Sequence, residues 1–150
     1  EFNQFNESSS STIKEIDKES KYYKRKFRLI NFLNNKETYQ KIKIKISKLK
    51  DYIEKNDIKK IDFMKIDTEG YEFEVLLGLE NKIKLVDIIM FEHHYDNMIK
   101  KGYTFEDINK LLIKNNFNKM YKSRMPFRKT FEYIYKRKEI INWKILKYQY

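Results

Sequence analysis

The stretch that most constrains this chain is residues 61–72, IDFMKIDTEGYE. Ile61, Phe63, Met64 and Ile66 form a short apolar run broken by single charges and without helical spacing, the pattern of a buried strand. The run turns polar at Asp67, Thr68, Glu69 and Gly70. After Tyr71, the apolar residues Val75, Leu76, Leu79 and Ile83 recur at helical spacing. A strand that ends in carboxylates and a glycine before a helix has the geometry of a ligand-side edge, because open α/β sheets bind ligands beyond the carboxyl ends of their parallel strands. Gly70 permits a positive φ or a close backbone approach at that turn.

Charge singles out the same place. The 150 residues carry a net charge of +11, yet residues 62–80 hold six acids and one lysine, a local net of −5. Glu72 and Glu74 suit the positive dipole end of a helix. Asp67 and Glu69 stand at the turn itself and lack that explanation. The basic balance of the whole chain admits a polyanionic partner. Its lysines are nevertheless dispersed among Ile, Asn and Tyr and do not form one patch with interleaved aromatics, so nucleic acid is the disfavoured partner. A non-catalytic basic α/β module binding nucleic acid or another polyanion is the alternative to an enzyme.

An apolar content of 41% over 150 residues supports one domain core. No run within these residues reaches the length of a membrane span and none has a signal-peptide pattern. Cysteine is absent, which excludes disulfides and thiolate metal sites and accords with a cytoplasmic address.

The chain divides into a polar arm at 1–24, with a serine run at 8–11, a main domain at 25–137, and a basic aromatic tail at 138–150 containing Trp143, Tyr148 and Tyr150. Ile42, Ile44 and Ile46 alternate with lysines, which predicts a strand; Ser47 is then a candidate cap for a helix through Leu49, Tyr52 and Ile53. The most apolar run, 85–91, predicts a central strand that exits into Glu92, His93, His94, Tyr95 and Asp96. Thr104 and Asp107 have capping-box spacing ahead of the stripe Phe105, Ile108, Leu111 and Leu112. Residues 117–122 and 130–136 read as an antiparallel pair at the sheet edge. The order predicts a parallel α/β sheet covered by helices on both faces and closed by an antiparallel hairpin.

The run Lys65-Ile66-Asp67-Thr68-Glu69-Gly70-Tyr71-Glu72, preceded by Ile61-Asp62-Phe63-Met64 and followed by Val75-Leu76-Leu77-Gly78, resembles the signature of FkbM-type methyltransferases. The resemblance extends over residues 5–137, with its specific core at 61–78. It implies a Rossmann-like methyltransferase fold with a mostly parallel sheet, S-adenosylmethionine as cofactor, and methyl transfer to a hydroxyl of a sugar or other small metabolite. Such enzymes hold the cofactor through an N-terminal strand and a Gly-rich turn. Here the glycines are Gly70, Gly78 and Gly102, none in a G-x-G arrangement, so the fold is expected to be incomplete at its N-terminus and the activity of this fragment alone is left open.

Methylating a hydroxyl needs a donor held in line, a positioned oxygen and an acceptor for its proton. Asp67 and Glu69 at the strand end could favour the cationic donor, take the proton or ligate a divalent metal; equally, they could bond the backbone N–H groups of the following helix. His93 and His94 are the only histidines, and adjacent residues at a strand exit point to opposite sides, so at most one faces the crevice. The expected catalytic set is Asp67, Glu69, His93 and His94, with Asp67 and Gly70 at the cofactor and Glu72, Glu92 and Tyr95 at the substrate. Ligand spacing does not support a metal site. A Mg²⁺ cluster of Asp62, Asp67 and Glu69 is disfavoured because strand alternation sets Asp62 and Asp67 on opposite faces.

Overall fold

The computed structural model describes residues 1–5, 11–33, 39–126 and 129–138. In chain order the elements are β1 (Phe2–Phe5), β2 (Glu15–Ile16), α1 (Lys21–Leu33), β3 (Tyr39–Ile42), α2 (Leu49–Lys55), β4 (Ile61–Ile66) and α3 (Glu72–Leu77). A 3₁₀ segment (Glu80–Leu85) leads into β5 (Val86–His94), followed by β6 (Ile99–Lys100), α4 (Phe105–Lys114), β7 (Phe117–Arg124) and β8 (Thr130–Arg137).

The central sheet has the order β4-β5-β8-β7. β4 and β5 are parallel, as a helical crossover requires, while β8 lies antiparallel to both β5 and β7. The two smaller sheets, β1 with β3 and β2 with β6, are also antiparallel. The expectation of a mostly parallel sheet is therefore corrected: apolar patterning marks strands but not their direction, and the 117–137 hairpin folds back so that β8 occupies the interior position beside β5.

Register divides the sheet into two unlike faces. Met64 pairs with Ile89 and Ile66 with Phe91 on one face, which packs with Ile53, Leu76, Leu79, Ile83, Ile108 and Leu112 into the main core. Tyr133 and Tyr135 of β8 join it, stacked on Phe91 at 5.4 and 5.8 Å between ring centroids. On the opposite face Phe63 pairs with Ile88 and Lys65 with Met90; Phe63 is 52% exposed and Tyr121 56%. The helices α2, α3 and α4 thus contribute to a core on one side of the sheet, where coverage of both faces was expected.

Local signals explain the helix ends unevenly. α4 begins at the expected capping box, Thr104 accepting from the Asp107 N–H and Asp107 accepting from the Thr104 N–H. α2 begins after Lys48 with no side-chain cap, so Ser47 does not serve as one. The Ile42, Ile44 and Ile46 alternation is realised as strand only as far as Ile42, where β1 pairs with it; Ile44 and Ile46 have no neighbouring strand among the described residues and are exposed. Residues 21–33, which carry no clear pattern, form α1, with Ser20 accepting from the Tyr23 N–H at its start. The aromatic tail beyond residue 138 and serines 8–10 lie outside the described residues.

Truncating Ile89, which is fully buried, to Ala is expected to cost about 2–5 kcal/mol in urea unfolding. The equivalent Phe63→Ala change should stay within roughly 1 kcal/mol.

Candidate active site

The site is built on a turn with an unusual backbone. Glu69 has φ 48° and Gly70 φ 93°, two consecutive residues in the left-handed region. A non-glycine residue pays for that conformation, of order 1 kcal/mol or more, and holds it only where its surroundings enforce it. Two anchors do so here. Glu72 Oε1 accepts from the Gly70 N–H (3.0 Å), the Thr68 N–H (3.3 Å) and the Thr68 hydroxyl (3.2 Å), while its second oxygen accepts from the Tyr103 hydroxyl. On the other side, the Thr12 hydroxyl donates to the Glu69 carbonyl at 2.6 Å.

Glu72 was expected to face substrate. It is 0% exposed, and both of its oxygens are taken by protein donors, one within the turn and one from Tyr103. Gly70 was expected at the cofactor; a Cβ there would lie 2.6 Å from Ile99 Cγ2 and 3.1 Å from Lys101 Cγ, so the space beside it belongs to the loop after β5. Both residues shape the turn from within.

The turn brings the Glu69 carboxylate to His94. Glu69 Oε2 and His94 Nε2 are 3.3 Å apart, within ion-pair distance but without the alignment of a hydrogen bond. The other ring nitrogen, Nδ1, lies 3.1 Å from the Thr130 hydroxyl and 3.7 Å from Asp96 Oδ2. Burial, then the charges of Asp67 and Glu92, raise the Glu69 carboxyl to about 6, against the lowering pull of His94. Burial pulls His94 down, but its pairing with Asp96 and the charge of Glu69 outweigh that and leave it raised. Both groups are thus raised, Glu69 to about 6 and His94 above its ordinary 6.5, so the pair is poised to hold a proton.

Asp67 and Glu92 complete the group. Asp67 is 43% exposed at the end of β4, with Lys65 at 3.3 Å. Glu92 is buried, and its carboxyl is raised by burial and then by Asp67. The Asp67 charge disfavours ionisation of both Glu69 and Glu92, and a cationic ligand in the crevice would relieve this. That charge pattern fits the sulfonium end of the donor that the sequence resemblance implies. Among the described residues no group of three or more His, Asp or Glu is arranged to hold a metal ion.

His93 is on the other side of the sheet, as strand alternation requires. Its ring packs edge-on to Tyr95 at 4.8 Å and near Tyr103 and Phe105, both at 5.9 Å. Burial, then the charges of Lys101 and His94, depress it to about 3, so it stays neutral in a hydrophobic setting. Tyr95 is 44% exposed, with its hydroxyl 2.7 Å from that of Tyr133. Of the expected residues, then, Asp67, Glu69, Glu92 and His94 come together; His93 and Glu72 do not present their side chains to the crevice.

Sequence reasoning missed Asp96, Thr130 and Thr12. Asp96 is two residues beyond His94, and that spacing at a strand exit was the available signal. Thr130 reaches His94 through the register of β8, and Thr12 through a fold-back of the N-terminal segment; neither has a local signature.

Residues 2–121 match the family model described as the methyltransferase FkbM domain. The chain belongs to the FkbM methyltransferase domain family. No curated protein and no solved structure matches it significantly. The match includes both strand exits and the Thr12 anchor. No helix among the described residues is long and apolar enough to cross a membrane.

Two outcomes follow. Gly70→Ala should destabilise the fold by roughly 2–4 kcal/mol, since it combines a left-handed φ with a steric clash, and chemical denaturation would measure it. His93 binds fewer protons folded than unfolded between about pH 3 and 6.5, so it makes stability fall as pH drops through that window. His93→Phe should therefore flatten the acid limb of a stability–pH curve, by up to about 5 kcal/mol at its lower end.

Proposed function

We propose that this FkbM-family domain carries out S-adenosylmethionine-dependent methylation of a hydroxyl on a sugar or other small metabolite. The observation that carries the reading is the pairing of half-buried Glu69 with buried His94 at the carboxyl ends of two parallel strands, braced by Asp96 and Thr130. S-adenosylmethionine, when bound, supplies an electrophilic methyl group. Asp67, with Glu92 behind it, provides negative charge where the donor's cationic end would lie.

The pair acts as a proton acceptor. The Asp96 carboxylate favours the tautomer with the proton on Nδ1, which leaves Nε2 with an unused lone pair 3.3 Å from Glu69 Oε2. With Glu69 ionised and His94 neutral, two acceptor atoms lie 3.3 Å apart. A proton leaving the acceptor hydroxyl is stabilised between them as the oxygen takes the methyl group. Tyr95 lies at the open side, where an acceptor would enter. The polyanion-binding alternative rests on the net charge and on Trp143, Tyr148 and Tyr150 among the lysines of the tail, which lie outside the described residues.

The test is methyl transfer from S-adenosylmethionine to a panel of hydroxylated sugars. Because His94 is raised above its ordinary 6.5, the rate should climb with pH across neutrality as the pair loses its shared proton. Glu69→Gln and His94→Gln should each lower kcat by roughly 10²–10⁴-fold, and the rising limb should disappear in the histidine variant. Asp67→Asn should chiefly weaken donor binding. Unchanged turnover in both pair variants would remove the pair from the chemistry.

A further inference from the structure

An open cleft of about 530 Å³ lies between the start of α1 and the residues that follow β5. It adjoins the Glu69–His94 pair through Asp96, which lines the cleft and also contacts His94. Acids and bases are both present in its wall, but they are not equally available. Asp17 Oδ1 accepts from the Glu19 N–H, Glu19 pairs with Lys24 at 2.5 Å, and Asp96 is taken by the Met98 N–H and His94. Lys21, Arg25 and Lys129, by contrast, have no acidic partner among the described residues. Arg25 stands over the Tyr22 ring, 5.8 Å from its centroid. The cleft therefore offers cations without an acidic partner among the described residues, beside two tyrosine rings, Tyr22 and Tyr95.

We infer that this cleft binds the anionic group of a sugar acceptor, a phosphate or a carboxylate, with Arg25 and Lys129 as its recognition residues. Guanidinium and ammonium groups without protein counter-ions suit a ligand anion, and tyrosine faces suit the C–H surface of a pyranose ring. The inference narrows the acceptor class of the proposed methyl transfer and rests on that reading for its link to chemistry. The binding itself does not depend on it.

Calorimetric titration of the chain, without methyl donor, with glucose 6-phosphate, glucuronate and glucose tests this. Either charged sugar is expected to bind at least 10-fold more tightly than glucose, with the advantage shrinking as salt is raised. The Arg25→Gln/Lys129→Gln double variant should lose that 10-fold, while Lys84→Gln/Lys114→Gln, which removes the same charge elsewhere, should keep it. Charged sugars that bind no better than glucose would overturn the inference, as would equal losses in the two double variants. Which of the charged sugars binds separates a phosphate from a carboxylate ligand. Failure here leaves the Glu69–His94 chemistry standing, and failure of methyl transfer leaves the binding result standing.

Discussion

The fully buried carboxylate of Glu72 is the interaction on which the site depends. Removing a carboxylate from water costs several kcal/mol unless donors replace its hydration. Glu72 receives four: two backbone N–H groups and a hydroxyl from residues 68–70, and the Tyr103 hydroxyl from the loop before α4. Burial and the Glu72 charge in turn push the Tyr103 phenol far up, so it remains a donor at any ordinary pH. The arrangement forces the chain through two left-handed residues and aims Glu69 outward at His94. One glutamate in the first turn of a helix thereby sets the position of another that can do chemistry.

The N-terminal segment is the second support. The Thr12 hydroxyl holds the Glu69 carbonyl, and Lys14 bonds Glu74 and the Lys101 carbonyl while lying 5.0 Å from the Tyr71 ring centroid. β2 pairs with β6 just beyond the β5 exit, and Ile16, Tyr22 and Tyr23 pack on Met98 and Ile99. These contacts enclose the turn from the side opposite Glu72. They also set α1 beside the cleft at Asp96, so the same segment that braces the base forms one wall of the neighbouring cavity.

How much was legible in the sequence varied with the range of the interaction concerned. α2, α3 and α4 follow from periodicity, β4 from a short apolar run, and the α4 capping box from two residues three apart, because these are local preferences of the chain. The expectation that β4 is buried is corrected: among the described residues it is an edge strand with only Ile66 buried. The opposite orientation of His93 and His94 follows from strand alternation alone. The order β4-β5-β8-β7 was not readable, because a strand's sequence does not specify its neighbour. Nor was the inward turn of Glu72: its carboxylate looks the same in sequence as that of Glu69, and only Tyr103 and Gly70 decide between them.

By itself the sequence determined the family, the strand–turn–helix at 61–77, and the clustering of carboxylates and histidines at two strand exits. Each depends on residues close together along the chain. The tertiary structure alone decided which of those groups face one another. Parallel pairing of β4 with β5 sets Glu69 against His94, the register of β8 supplies Thr130, and the fold-back of residues 11–16 supplies Thr12. Charges and hydrogen-bonding groups act through space over a few ångströms, and those distances exist only once the chain has closed.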